Sequence, residues 1–259
     1  VSQAVGAQRL LIITDYNGTL INKPITDWGT LHELMKKIGE HSEVVIVSRG
    51  NGRIAIEHLG EIPGIAIASD LGANLFKDGK FVPSSDPAPP KQVEMVKKIY
   101  ARVEQGRSPR TVFEEQHKVP ELNQLSTGRK FLYIYIPIYL SEILEAELPS
   151  EWNSHVTSDR RDFFLRPETE NKGSFVQRYV NAALQAGRPY DYVISIGDGA
   201  EDEFMYKVIN HMGGLSLMID HSSEKDRIIK HVLSETFAQF RVGSVNEIRE
   251  LLEHIANKR

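Results

Sequence analysis

The feature that most constrains this chain is the stretch 10–20, an apolar run that ends in a carboxylate and a Gly-Thr turn. Residues 10–14 have the composition of a buried β-strand, and Asp15 follows them directly. Open α/β sheets bind their ligands at the carboxyl ends of their strands. The stretch therefore predicts a parallel sheet that presents Asp15, a candidate nucleophile, at its ligand-binding edge.

Strand-like apolar runs alternate with segments of helical periodicity along most of the sequence. This alternation is typical of an α/β fold, a doubly wound parallel sheet with crossover helices. The predicted strands are 10–14, 44–47, 65–68, 192–196 and 215–219, and the predicted helices are 28–39, 54–59, 173–186, 202–212 and 245–257. A hairpin is predicted over 74–82, with its turn at Asp78-Gly79.

A proline-rich segment over 83–90 marks a domain boundary. Its sequence, Pro-Ser-Ser-Asp-Pro-Ala-Pro-Pro, suits a surface linker better than a helix or a strand. The segment after it is rich in strand-like runs, and the βα pattern returns from Gly173. We therefore expect residues 1–86 and 167–259 to form one core domain, and residues 87–166 to form an inserted, smaller α+β cap domain.

The composition narrows the classes of partner. With 41% apolar and 25% charged residues, a net charge of -4 and no dense block of Lys and Arg, the chain favours neither a nucleic acid nor a membrane as partner. The absence of cysteine excludes disulfides and thiolate metal sites. The first residues lack the features of a signal peptide. We expect a cytoplasmic protein with a polar small-molecule ligand.

Further polar side chains follow other predicted strands or begin the helices between them. Phosphoryl transfer to a carboxylate needs a nucleophile, a metal ion, groups that hold the phosphate, and a proton donor. Asp15 is the candidate nucleophile, and Ser48 and Lys172 are candidates for holding phosphate. Asp198 and Asp202 suit a hard cation. Each residue alone has a structural explanation, such as a helix cap or a solvated charge, but their order at four strand ends favours one shared site.

These motifs resemble those of the trehalose-6-phosphate phosphatases, a family of the haloacid dehalogenase (HAD) superfamily. Residues 15–20, Asp-Tyr-Asn-Gly-Thr-Leu, resemble the family's Asp-Tyr-Asp-Gly-Thr-Leu. Residues 45–50 look like Ile-Val-Ser-Gly-Arg with Gly and Arg exchanged, and 166–173 match Arg-Pro-x-x-x-Asn-Lys-Gly. Residues 197–206 are similar to Gly-Asp-Asp-x-Thr-Asp-Glu-Asp-Met-Phe. The likeness covers nearly the whole chain and is weakest in the expected cap.

The resemblance implies a HAD-like core, Mg²⁺ as cofactor and a sugar phosphate as ligand. The catalytic positions that it implies are Asp15, Asn17, Ser48 and Lys172. The implied metal ligands are Asp15, Asn17, Asp198 and Asp202, with Asn17 contributing its backbone carbonyl. The implied substrate-binding positions are Gly18, Thr19, Arg49, Glu114, Arg166 and Asn171.

Several departures from the family pattern bear on activity. Asn17 stands where the family has the Asp that protonates the leaving sugar oxygen and later activates water, and a carboxamide has no titratable proton near neutrality. Losing acid–base help costs about 10²- to 10⁴-fold in rate. Gly199 and Glu201 replace an Asp and a Thr of the metal loop. On the sugar side, Gln116 and Phe164 replace a Lys and a Glu.

Three functions fit this sequence. The first is a catalytically impaired or inactive phosphatase-like module that serves as a regulatory or scaffold part of a trehalose synthase complex. It looks like the degenerate phosphatase-like domains of fungal complexes, which implies trehalose-6-phosphate synthase and phosphatase subunits as partners. The second is an active Mg²⁺-dependent trehalose-6-phosphate phosphatase in which Asn17 is an engineered substrate-trapping change. The third is a HAD phosphatase of another sugar phosphate.

Overall fold

An eight-stranded, mostly parallel sheet with helices on both faces forms the larger part of the chain. It is seen in a computed structural model that describes residues 2–22, 27–50, 52–83, 136–137, 152–156, 162–167, 170–221 and 235–258. The chain divides into two compact units, one of Val1–Ser84 with Glu170–Arg259 and one of Ser85–Thr169. The doubly wound α/β class predicted from the sequence is confirmed.

The larger unit contains all the helices described and most of the strands. Its helices are α1 (Ser2–Gly6), α2 (Trp28–Gly39), α3 (Arg53–Leu59), α4 (Lys172–Gln185), α5 (Glu203–His211) and α6 (Val245–Lys258). Its strands are β1 (Leu10–Thr14), β2 (Ser42–Val47), β3 (Ile65–Ser69), β4 (Asn74–Lys77), β5 (Lys80–Pro83), β9 (Tyr192–Gly197), β10 (Leu215–Ile219) and β11 (Phe240–Val242).

Strand β1 lies in the middle of the sheet, and the chain winds away from it in both directions. The strand order is β11-β10-β9-β1-β2-β3-β4-β5, in which the first six strands are parallel and the hairpin of β4 and β5 is antiparallel. The winding direction reverses between β1 and β9. In such sheets a crevice for ligands opens at this reversal, outside the carboxyl ends of the strands.

The strands are buried on both faces, which explains their continuous apolar sequences. All five residues of β1 are buried. Leu10 and Ile12 pack with α2 and α6 in one core layer, whereas Leu11 and Ile13 pack with α4 and α5 in the other. Because side chains alternate along a strand, this single run supplies both layers. β1 is therefore fixed from two sides, and so is the position of the residue that follows it.

The second unit contains a small antiparallel sheet. Strands β6 (Ile136–Pro137), β7 (Trp152–Val156) and β8 (Asp162–Pro167) pair in the order β6-β8-β7. Most other residues of the expected cap, 87–166, lie outside the described residues, as does most of the proline-rich segment 83–90. The role of this unit as an inserted cap stays a prediction.

Several element bounds differ from the sequence prediction by one or two residues, as at β2, which begins at Ser42 and not at residue 44. Two larger differences concern helices. Helix α1 was not predicted, because its five residues carry no apolar repeat and bury only Ala4. The helix predicted over 202–212 is divided, since residues 200–202 form a 3₁₀ turn before α5 begins at Glu203. Within the described segments, none of the helices combines the length and apolarity that crossing a membrane requires.

Candidate active site

Four charged side chains from distant parts of the sequence meet at the carboxyl edge of the sheet. Asp15 follows β1, and its backbone N–H donates to the carbonyl of Ile196 in β9 at 2.8 Å. Asp198 follows β9 directly, and Asp202 ends the 3₁₀ turn after it. Lys172 is the first residue of α4. Four of the residues expected from the sequence thus lie together at this edge of the sheet.

Lys172 is the centre of a buried ion-pair network. Its ammonium donates to Oδ1 of Asp15 and, at 2.6 Å, to Oδ1 of Asp202. Only 2% of Lys172 and 2% of Asp202 are exposed. Helix α4 begins at this point because the side chain of Asn171 accepts from the N–H of Ser174, which returns a bond to the backbone of Asn171. This capping box holds Lys172 against the two carboxylates.

Three carboxylates of the site are close enough to share a metal ion. One oxygen each of Asp15, Asp198 and Asp202 lies within 4.8 Å of the others. Carboxylate oxygens are the ligands that Mg²⁺ prefers. Three negative charges and the single positive charge of Lys172 leave the ionised cluster with a net charge of −2. The donor set and its charge therefore fit a divalent cation.

The loop after β9, residues 198–202 (the metal loop), is held in place by the carboxylate of Asp202. Oδ2 of Asp202 accepts from the backbone N–H groups of Asp198 and Gly199, both at 2.9 Å. Asp198 accepts from the hydroxyl of Thr19 at 2.9 Å. Gly18 has φ +80, and a Cβ there would lie 2.3 Å from Asp198 Oδ2. The Gly-Thr pair thus allows the turn after Asp15 to approach the metal loop.

The charged side chains of the cluster shift one another's pKa values, because they are largely buried away from water. Burial raises the pKa of Asp15 to about 7, and the carboxylates of Asp202 and Asp198 add to this although Lys172 opposes it. Burial also raises the pKa of Asp202. Burial alone would lower the pKa of Lys172, but Asp15 and Asp202 hold it above its usual value. Lys172 is therefore charged at neutral pH.

Ser48 is fixed at the end of β2 by a strained neighbouring turn. Its backbone N–H donates to the carbonyl of Ala68 at 2.8 Å, and its hydroxyl oxygen accepts from the N–H of Gly50 at 3.2 Å. Asp70 and Leu71 both have positive φ, of 52 and 55, and Leu71 N–H donates to the carbonyl of Ser48 at 3.0 Å. Non-glycine residues in this region cost about 1–3 kcal/mol each and cluster at functional sites. The Ser48 loop is therefore held in a defined position.

Asn17 occupies the rim of the site. It is exposed, and its backbone forms a bridge with Ile21. Among the described residues its carboxamide has no hydrogen-bond partner. Neither the fold nor the buried cluster therefore depends on an amide at this position.

The residues expected to bind substrate differ in what their side chains contact and in whether the structure describes them. Thr19 directs its hydroxyl to Asp198, and Asn171 directs its side chain to the cap of α4. Arg49 is partly exposed beside Ser48. Arg166 lies in β8, where side chains are not described, and Glu114 lies outside the described residues.

His221 is a site residue that the sequence prediction missed. Its Nε2 lies 2.9 Å from the carbonyl of Gly18 and 3.6 Å from Oδ2 of Asp198, and only 8% of the residue is exposed. It comes two residues after β10. The same rule that identified Asp15 and Asp198, a polar residue just after a buried strand, would have found it.

We predict that the protein without divalent cations loses stability as the pH rises. The pKa of Asp15 is raised from 3.8 to about 7 in the folded chain. Its contribution to the free energy of unfolding is thus fully present below the unfolded pKa near 4 and is lost as the pH rises through 7. Asp202 shifts in the same direction. Denaturant unfolding in EDTA across this interval measures the fall.

Mg²⁺ provides the control for this pH dependence. It binds the ionised carboxylates, so its addition should flatten the stability profile, and Asp15→Asn should remove part of the slope in EDTA. A free energy of unfolding that stays level or rises from pH 4 to pH 7 in EDTA would contradict the assigned shifts.

Comparisons with known proteins agree with this geometry. The sequence pattern of the trehalose-phosphatase family matches residues 13–237. Trehalose-6-phosphate phosphatase of Aspergillus fumigatus has a similar structure, with a TM-score of 0.63, 16% identity, and coverage of 99% of this chain and 96% of that chain. The C-terminal domain of C. albicans trehalose-6-phosphate phosphatase gives a TM-score of 0.64 at 18% identity, with 99% and 95% covered.

A third similar structure is a phosphatase of the haloalkanoate (HAD) enzyme superfamily from Bacteroides thetaiotaomicron. Its TM-score is 0.65 at 15% identity, with 95% of this chain and 94% of that chain covered. At these identities the solved structures show the HAD-like fold alone. No curated protein sequence matches the chain.

Proposed function

The chain belongs to the trehalose-phosphatase family, and from this premise we propose that it is a phosphatase-like module that binds a sugar phosphate with Mg²⁺ but turns it over slowly or not at all. The single observation that carries the proposal is the contrast between residue 17 and its surroundings. Asp15, Lys172, Asp198 and Asp202 form a largely buried cluster of three carboxylates and one ammonium. Asn17 is a carboxamide at the position of the family's acid–base Asp.

The cluster supports binding of a phosphoryl group. When bound by Asp15, Asp198 and Asp202, Mg²⁺ would neutralise phosphate oxygens and orient them. Asp15 is held with one oxygen on Lys172, which leaves its other oxygen for a ligand. The hydroxyl oxygen of Ser48 accepts a hydrogen bond from the N–H of Gly50. The hydroxyl proton of Ser48 can therefore be donated to a phosphate oxygen.

Turnover requires a proton for the leaving group, and the carboxamide of Asn17 does not supply it. The alkoxide of a sugar is a poor leaving group unless an acid protonates it. Asn17 has no such proton, and Asp15 and Asp202 are bonded to Lys172. The described part of the site therefore favours binding over hydrolysis.

We further propose that the module serves as a regulatory or scaffold part of a trehalose-synthesising complex, with synthase and phosphatase subunits as partners. The support is the resemblance to degenerate phosphatase-like domains together with the substitutions Gly199, Gln116 and Phe164. Co-purification of the tagged chain with a trehalose-6-phosphate synthase tests this role. A chain that stays monomeric beside such subunits would argue against it.

We predict that sugar-phosphate binding depends strictly on Mg²⁺. At pH 8, above the pKa of Asp15, the ionised cluster has a net charge of −2 and repels a phosphate dianion, so calorimetry at this pH should detect trehalose-6-phosphate binding with Mg²⁺ and a loss of at least about tenfold in EDTA. Trehalose itself, which lacks the phosphate, serves as the matched ligand control. Equal affinity for trehalose-6-phosphate with and without Mg²⁺ would refute the proposed mode of binding.

An active trehalose-6-phosphate phosphatase is the second candidate. The observation in its favour is the contact between Asp15 and Lys172, which pairs the candidate nucleophile with a buried cation. Phosphate release at ordinary enzyme rates, of order 1 to 10³ per second, would establish it.

A further inference from the structure

A second cavity lies at the opposite, amino-terminal edge of the sheet. Arg9 directly precedes β1, and Glu43 is the second residue of β2, whereas Asp15 follows β1. Six extended residues separate Arg9 from Asp15 by roughly 20 Å. The cavity, of about 420 Å³, is lined by residues of this edge, of the β4–β5 hairpin and of α4. None of its lining residues belongs to the phosphatase-like site.

A buried hydrogen-bond network fixes one wall of this cavity. The carboxylate of Glu43 accepts from the ammonium of Lys77 and the hydroxyl of Tyr179, and from the hydroxyl of Tyr190 at 2.6 Å. Burial favours the neutral acid, but these three donors outweigh it and lower the pKa of Glu43. Glu43 is therefore ionised, and Lys77 balances its charge. The wall is formed before any ligand arrives.

Four basic side chains line the cavity, and two of them have no carboxylate partner among the described residues. Lys77 and Arg178 pair with Glu43 and Glu170. Arg9 instead donates to backbone carbonyls, including that of Pro189 at 2.8 Å, and its guanidinium lies 4.6 Å above the ring of Tyr190. Within the described residues, no carboxylate lies within 4.0 Å of the side-chain nitrogens of Arg9 or Arg188. In the described part of the chain, the positive charges of Arg9 and Arg188 are therefore left for an anionic ligand, although the net charge of the whole sequence is -4.

The remaining lining is apolar. Leu75 and Val82 of the hairpin face Phe175 and Ala183 of α4. The volume lies within the usual 300–1,000 Å³ of small-molecule sites, which combine an apolar lining with a few placed polar groups. We propose that this cavity binds a small organic anion, with its charged group at Arg9 and Arg188 and its apolar body between the hairpin and α4.

Binding of 2-naphthalenesulfonate to the full chain tests this site. Amide chemical shifts should change at the end of α4 and around residue 190 and stay unchanged around Asp15. Neutral 2-naphthalenemethanol should bind at least about 5-fold more weakly, as expected for the loss of one charge contact, and inorganic sulfate should lack the contribution of the apolar body. The affinity for the sulfonate should fall as salt is added.

Two variants locate the site, and one provides the control. Arg188→Gln should weaken sulfonate binding about 5-fold or more, since Arg188 is exposed and outside the Glu43 network. Ala183→Trp should abolish binding by filling the cavity. Arg53→Gln, which alters an exposed cation on α3, should leave the affinity unchanged. Thermal unfolding checks that each variant is folded.

The proposal is overturned by any of three results. These are equal binding of the sulfonate and the alcohol, equal effects of Arg188→Gln and Arg53→Gln, and no binding of the sulfonate at millimolar concentration. None of these results bears on the trehalose-phosphatase-like site, because its residues are unchanged in every variant.

Discussion

Asn17→Asp is expected to raise Mg²⁺-dependent phosphate release from trehalose-6-phosphate by about 10²- to 10⁴-fold. The substitution restores a titratable proton beside a nucleophile that is already in contact with Lys172. It should be tolerated structurally, since residue 17 is exposed and the amide has no partner among the described residues. Steady-state release of inorganic phosphate measures the gain.

The matched control for this gain is Asn17→Ala. It removes the carboxamide without supplying an acid, so its rate should stay at the level of the unaltered chain. If Asn17→Asp also stays at that level while binding the sugar phosphate, proton transfer at residue 17 is not what limits the chain. The assignment of the impairment to Asn17 would then be wrong.

Gly199→Asp, combined with Asn17→Asp, should lower the Mg²⁺ concentration that phosphate release requires. A Cβ at residue 199 would meet only Asp202 Oδ2, at 3.7 Å, which is an ordinary contact, so the side chain fits. A further carboxylate beside Asp198 should tighten Mg²⁺ binding. The double variant should therefore reach its full rate at a lower Mg²⁺ concentration than Asn17→Asp alone.

Lys172→Met is expected to lower the free energy of unfolding by about 3–5 kcal/mol at pH 8 in EDTA. Methionine has a similar length but no charge, so the carboxylates of Asp15 and Asp202 would remain buried without their shared cation. The loss should shrink at pH 5, because the carboxylates then take up protons, and it should also shrink when Mg²⁺ is added. Denaturant unfolding under the three conditions measures it.

Lys36→Met is the control for the loss of a lysine. Lys36 is exposed on α2, and changes at such positions fall within about ±0.5 kcal/mol. If Lys172→Met costs as little as this at pH 8 in EDTA, the ammonium does not neutralise the two carboxylates in the way that the contacts indicate.

The central sheet could be predicted because each of its signals is local. β1 and α2 have the predicted bounds, since burial on both faces gives a continuous apolar run and burial on one face gives a helical repeat. Asp15, Asp198 and Asp202 followed from the same reasoning, because parallel strands bring their carboxyl ends to one edge.

The partners of individual polar residues could not be predicted in this way. Thr19 and Asn171 have side chains that suit a ligand, but one bonds to Asp198 and the other caps α4. These contacts depend on tertiary approach or on backbone geometry, and residue type alone does not reveal them. The hydrogen-bond network around Glu43 could not be predicted for the same reason. It joins β2 and β4 to Tyr179 of α4, which lies more than 100 residues further along the sequence.

Whether the chain binds a sugar phosphate without hydrolysing it is tested most directly by the rate of phosphate release from trehalose-6-phosphate by the unaltered chain with saturating Mg²⁺. Enzymes of ordinary activity turn over at about 1 to 10³ per second. We predict saturable binding of the sugar phosphate with a rate at least about 100-fold below the lower end of that range. A rate within that range would show that Asn17 does not prevent catalysis, and the chain would then be an active phosphatase.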